Sequence, residues 1–251
     1  MRLALPLLLL ATPAWAGWQT YSGKAHAPED GRLLYVEQHL QRFDGDSLRE
    51  RWVIYRCPDG LPFARKRIDY APSPVAPAFV LEDGRDGYRE GLRWQDDGVE
   101  LFAYDPAGDG ERRARLAAAA ELVADAGFDE FIRREWDRLL AGETVTLRFA
   151  IPARGQALAF RVRHQGRVDI DARPAELFRL RLGGMLGWIA PHIDVAYTRD
   201  GRRLRRYEGL SNLRDGQGRQ WMARIDFPDT PTAVTQAEVE RARREPLRTC
   251  G

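Results

Sequence analysis

The stretch Thr144 to Arg163, TVTLRFAIPARGQALAFRVR, decides the fold class. Val145, Leu147, Phe149 and Ile151 alternate with Thr144, Thr146 and Arg148, a period of two that gives a strand one apolar and one polar face. Pro152 to Gly155 then break the pattern, and it resumes with Leu158, Phe160 and Val162 on one side and Arg161 and Arg163 on the other. This is a β-hairpin with one wet face.

Outward from it the same signature repeats. Strands are predicted near 18–27, 32–43, 48–57, 63–69, 78–82, 88–95 and 99–104, and again near 175–182, 189–198, 202–210 and 220–227. Turn chemistry such as Pro58-Asp59-Gly60, Asp96-Asp97-Gly98 and Asp200-Gly201 separates them. One region departs: from Arg112 to Leu140, Leu116, Ala120, Val123, Phe128, Phe131, Ile132, Trp136, Leu139 and Leu140 recur near helical spacing, with a break near Gly127 and an end at Gly142. A second short helix from Gln236 to Arg244 opens on a Thr235/Glu238 capping box and is mostly charged, which places it on the surface. The expected fold is mainly β (α+β): a strongly curved antiparallel sheet forming an open half-barrel, with a helix packed in its concave face. No linker, repeat or charge block divides 17–251, so one domain is expected there.

The 251 residues are 44% hydrophobic and 30% charged, which excludes disorder, collagen and coiled coil. Lys and Arg number 39 against 37 Asp and Glu, too even a balance for a nucleic-acid-binding protein. Arg2, the apolar run from Leu3 to Ala11 and the small residues Ala14 and Ala16 read as a cleaved signal peptide over 1–16, too short to span a bilayer. A periplasmic or secreted, non-membrane-spanning protein follows, and Gly17 is not a lipid-attachment cysteine. The two cysteines, Cys57 and Cys250, are expected to form a disulfide that pins the C-terminal tail; free thiols or a bond to another chain are the alternatives. Closing so long a loop stabilises by about 5 kcal/mol in the chain-entropy model.

Catalytic signatures are weak. His26 and His39 could face each other across the first hairpin, and Asp169 and Asp171 could share a strand face as half of a hydrolase site, but turn and surface roles account for both. No nucleophile elbow, phosphate loop or dinucleotide fingerprint is present, and no metal ligand set or cofactor is expected. Arginines cluster at Arg161 with Arg163, at Arg179 with Arg181, and over Arg202, Arg203, Arg205 and Arg206. They read as wet strand faces paired with Asp and Glu, or as forks for lipid phosphates. The segment from Gly183 to Pro191 is apolar and Gly-rich, so either it is a buried bend or it rims a cavity as a lid carrying Met185, Leu186 and Trp188.

The pieces Arg206-Tyr207-Glu208-Gly209, Ser211-Asn212 and Arg224-Ile225-Asp226-Phe227-Pro228, with Asp30 to Tyr35 and Tyr55 to Gly60, resemble uncharacterised exported bacterial proteins with a LolA/LolB-like fold. The resemblance implies an unclosed barrel plugged by helix, of the kind that shelters acyl chains in transit across the periplasm, and it transfers no site residue. The expected function is a non-catalytic binding protein for a lipid, lipoprotein acyl chain or other apolar ligand, with Phe131, Trp136, Met185, Leu186 and Trp188 as contacts. The alternatives are an envelope assembly or scaffold factor acting through a protein partner, and a hydrolase using the His or Asp groups above.

Overall fold

A computed structural model describes residues 17–108, 110–184, 191–215, 217–228 and 230–250. The expected signal peptide and the Met185, Leu186 and Trp188 contacts therefore lie outside the described residues. Eight strands run in succession: β1 (Gly17–His26), β2 (Leu33–Asp44), β3 (Ser47–Arg56), β4 (Pro62–Asp69), β5 (Ala78–Asp83), β6 (Arg89–Gln95), β7 (Gly98–Asp105) and β8 (Gly110–Ala117). After β9 (Leu122–Ala124) come α1 (Gly127–Arg134) and α2 (Trp136–Leu140). Then follow β10 (Val145–Ile151), β11 (Gln156–Ile170), β12 (Arg173–Leu182), β13 (Ile193–Thr198), β14 (Leu204–Arg214), β15 (Gln220–Asp226), β16 (Thr232–Val234) and α3 (Gln236–Arg244).

All sixteen strands belong to one open sheet. Its order runs from β8 back to β1, crosses to β15, and runs back again to β9, while β16 adds to β1. Within β1 to β8 and within β10 to β15, consecutive strands pair antiparallel, while the β9–β10 pair is parallel. The decisive hairpin forms as expected, and its register sets Val145 opposite Val162 and Leu147 opposite Phe160. The sheet is curled. Leu122 and Ala124 of β9, at one end of the order, share an apolar cluster with Phe63, Leu81, Leu92 and Leu101 of β4 to β7. At the opposite edge, Arg112 of β8 donates to the Ala153 carbonyl in the 3₁₀ turn after β10 at 2.9 Å.

The helix expected from Arg112 is a correction. Arg112 to Ala117 lie in β8, paired over its whole length with β7, and the helix begins only at Gly127. Leu116 and Ala120 mimicked a helical stripe because β8 is an edge strand with little burial on either face, so it lacks a clean alternation. Gly127 is required where it stands: a Cβ there would come within 2.2 Å of the Val75 carbonyl oxygen. Val123, also read as helical, lies in β9, and the break falls at Glu135 between α1 and α2 rather than at Gly127; the later apolar positions are helical as expected. Phe128, Phe131, Ile132, Trp136 and Leu139 cover Val145, Leu147, Val162, Phe178, Leu180, Val195 and Tyr197 of β10 to β13, filling the hollow side of the sheet. Gly142, at φ +87°, follows the helical turns.

The outer side carries α3. Its capping box is formed as expected, and Val239 and Ala242 dock on Trp18, Leu40 and Ile54. Beyond it the tail is fastened by the Cys57–Cys250 disulfide, by both Glu245 oxygens on Arg56 at 2.7 and 2.8 Å, and by Arg248 N–H on the Pro62 carbonyl at 2.8 Å.

Candidate functional site

The alternation on β2 places Tyr35, Glu37, His39 and Gln41 on the inner face, and the same rule brings Arg51, Val53 and Tyr55 of β3 and Lys66 of β4 inward. Buried charge therefore lines the interior, and each group has a partner. Arg51 donates Nη1 to Asp129 Oδ2 at 3.2 Å, and the Gln41 amide, with its oxygen turned inward, accepts from Nη2 and Nε at 2.8 and 3.0 Å. Tyr197 OH donates to Asp129 Oδ1 at 2.8 Å. These bonds bolt α1 to both halves of the sheet. Burial alone would raise the Asp129 carboxyl, but the Arg51 and Arg133 guanidiniums and the Tyr197 hydroxyl hold it below the usual range.

Lys66 pairs with Asp125 at 2.8 Å, and Asn212 donates to the same oxygen at 3.3 Å. Glu37 bonds His39 at 2.9 Å, and the His39 ring stacks on Tyr21 with centroids 4.6 Å apart. Burial lowers the His39 pKa, so the ring favours its neutral form, although the Glu37 contact works the other way. Tyr88 OH donates to Glu90 at 2.8 Å. Burial pushes the Glu90 carboxyl up to about 7.

The expected contacts Phe131 and Trp136 are core residues, only 1% and 3% exposed. Trp136 meets Phe178 at 5.2 Å and Tyr197 at 6.3 Å. His26 and His39 do not face each other: His26 lies opposite Leu33 and His39 opposite Tyr21, five residues further back along β1, because the register is set by the whole β1–β2 ladder. Asp171 and Ala172, at φ +50° and +56°, form the two-residue turn between β11 and β12, and Asp171 pairs with Arg205 at 3.4 Å. The turn reading of that Asp pair is the one observed. Among the described residues, no group of three or more His, Cys, Asp and Glu is placed to hold a metal ion.

The arginine clusters divide. Arg206 pairs with Asp226 at 2.6 Å, Arg202 approaches Asp137 at 3.6 Å, and Arg205 reaches the Pro228 carbonyl as well as Asp171. The cluster on β11 and β12 is different. Arg161 lies opposite Arg181, and Arg163 opposite Arg179, on the outer face behind the Val162 and Leu180 that touch the helices. Arg179 is held by Asp194 at 2.7 and 2.6 Å. Among the described residues, the exposed guanidiniums of Arg161, Arg163 and Arg181 have neither carboxylate nor hydrogen-bond partner. With Thr144 and Gln165 the four arginines line an open pocket of about 350 Å³, ending at Leu182 and Gly184. The sequence displayed this site as alternation, since Arg161/Arg163 and Arg179/Arg181 are each spaced by two. What it did not display was the register that sets like charges opposite one another.

No helix among the described residues is long and apolar enough to cross a membrane. No family model matches the chain, and no curated protein matches it either. Among solved structures, the chain is similar to a β-barrel-like protein of the domain of unknown function DUF1849 from Brucella abortus, at 10% identity and a TM-score of 0.43, over 87% of this chain and 97% of that one.

Proposed function

We propose that the protein is a non-catalytic periplasmic binding protein for a lipid, a lipoprotein acyl chain or another amphiphile, and that the ligand engages the outer pocket on β11 and β12. The observation that carries this reading is that pocket, with three guanidiniums lacking a partner among the described residues, set against an interior whose buried charges have partners and whose hollow is filled by helix. Phe131 and Trp136 then hold the helices in place. Met185, Leu186 and Trp188, which follow Gly184 directly in the chain, would supply the apolar contacts. The test is solvent extraction and mass spectrometry of the protein purified from its native envelope. A stoichiometric amphiphile that is lost in Trp188→Ala is the expected result, and a protein free of extractable lipid overturns the reading.

A second reading, an assembly factor working through a protein partner, is favoured by one observation. Leu210 and Met222 pair across β14 and β15, 39% and 40% exposed on the outer face. Mild crosslinking in envelope extracts that captures one dominant protein, with no extractable lipid, would support it over the first.

A further inference from the structure

The register at the outer pocket sets a chemical requirement. Directly opposed residues on neighbouring antiparallel strands hold their Cβ atoms roughly 5 Å apart, and like charges in that position are destabilising. Two such pairs follow one another here, Arg161 with Arg181 and Arg163 with Arg179, so four guanidiniums converge on a patch two strands wide. Asp194 engages one of the four. An elsewhere similar strand surface on this protein resolves its charge differently: on β14 and β15, Arg206 and Arg224 share Asp226. Among the described residues, the β11–β12 pocket has guanidinium donors in excess, and Asp194 is the carboxylate that engages one of them.

We infer that the pocket binds the phosphate group of an anionic lipid headgroup, with Arg161 and Arg181 as one clamp and Arg163 with the Asp194-braced Arg179 as the other. The inference rests on the reading of this pocket as the ligand site and adds the ligand's chemistry. Phosphate suits it because the planar guanidinium fork bonds two phosphate oxygens at once, and because a phosphate offers several acceptor oxygens to several forks. Thr144, in the lining, adds a neutral donor. The Arg179–Asp194 bond fixes one clamp arm in advance, which lowers the ordering cost of binding.

The test compares the disulfide-intact protein on phosphatidylcholine vesicles doped with phosphatidate, on vesicles doped with the same fraction of oleate, and against inorganic pyrophosphate by calorimetry. Binding to phosphatidate vesicles is expected to exceed binding to oleate vesicles at least tenfold. Arg161→Gln/Arg181→Gln should lower it tenfold or more, Arg161→Lys/Arg181→Lys should restore only part, and Arg244→Gln should leave it unchanged. Far-ultraviolet circular dichroism and a thermal melt check that each variant is folded. Equal binding to both vesicles, lost in the double variant, overturns the phosphate inference while the pocket remains the ligand site. Pyrophosphate binding without vesicle binding keeps the phosphate clamp and overturns its lipid source. Wild-type affinity in the double variant, or no binding to any probe, overturns both.

Discussion

Arg51 and Arg161 stand on opposite faces of one sheet and show two ways of carrying a guanidinium. Arg51 is sealed inside, 3% exposed, and its donors are taken up by Asp129 and Gln41. Arg161 is exposed, opposes another arginine, and has no partner among the described residues. A buried charge without a partner would cost several kcal/mol, so a guanidinium sealed inside, like that of Arg51, has to be paired. A solvated charge without a partner costs little, so the outer face can keep its donors free for something else. The difference separates a structural arginine from one available to a ligand.

The comparison breaks most sharply at Asp129. Replacing it by alanine strands Arg51 in the core and unbolts α1, and a loss of about 3–5 kcal/mol is expected in urea unfolding. A loss under about 1 kcal/mol would mean that the interior tolerates free charge as the outside does.

Glu90 gives the next effect, as a pH dependence. Its folded carboxyl, raised by burial to about 7, binds its proton more tightly than the same group in the unfolded chain near 4.5. The stability this contributes is therefore full below pH 4.5 and is lost as the pH rises through 7. At about 1.4 kcal/mol per unit, the denaturation free energy of the wild type should fall by up to about 3 kcal/mol relative to Glu90→Gln between pH 4.5 and 8. Parallel profiles for the two proteins would remove Glu90 from the account.

The smallest effect has the opposite sign. Arg161→Gln/Arg181→Gln should leave stability unchanged or raise it by a few tenths of a kcal/mol, more so at low salt, because it relieves a like-charge pair. A clear destabilisation would show that these arginines serve the fold.

Much of the architecture was legible because hairpins are local. Alternation and turn residues gave the pairing of β10 with β11 and the strands on either side, and the capping box at Thr235 gave α3. The error at Arg112 to Ala117 came from an edge strand, whose weak burial left helical and extended spacings equally good. The interior charges escaped notice for a related reason. Glu37, His39 and Gln41 alternate in step with Tyr35, but polar residues in that step read as a wet face until the groups around them are known: Glu37 bonds His39, Gln41 bonds Arg51, and Arg51 and Lys66 reach Asp129 and Asp125 far along the chain. The outer pocket was half visible: its arginines stood out, while their opposition across β11 and β12 depended on a shift of register between His164 and Gly166.

The position of β1 sets an order of assembly. As the first described strand it sits mid-sheet, yet its far edge waits for β15 and β16, about two hundred residues later. The β1–β15 seam is only three residue pairs long, Lys24 with Asp226, Ala25 with Ile225 and His26 with Arg224. During synthesis the early meander can zip up by itself, but it presents a raw hydrogen-bonding edge until the late strands arrive. The newborn chain thus passes through a sticky half-built stage, and holdase chaperones that shield such edges are the cellular factors on which its yield should depend.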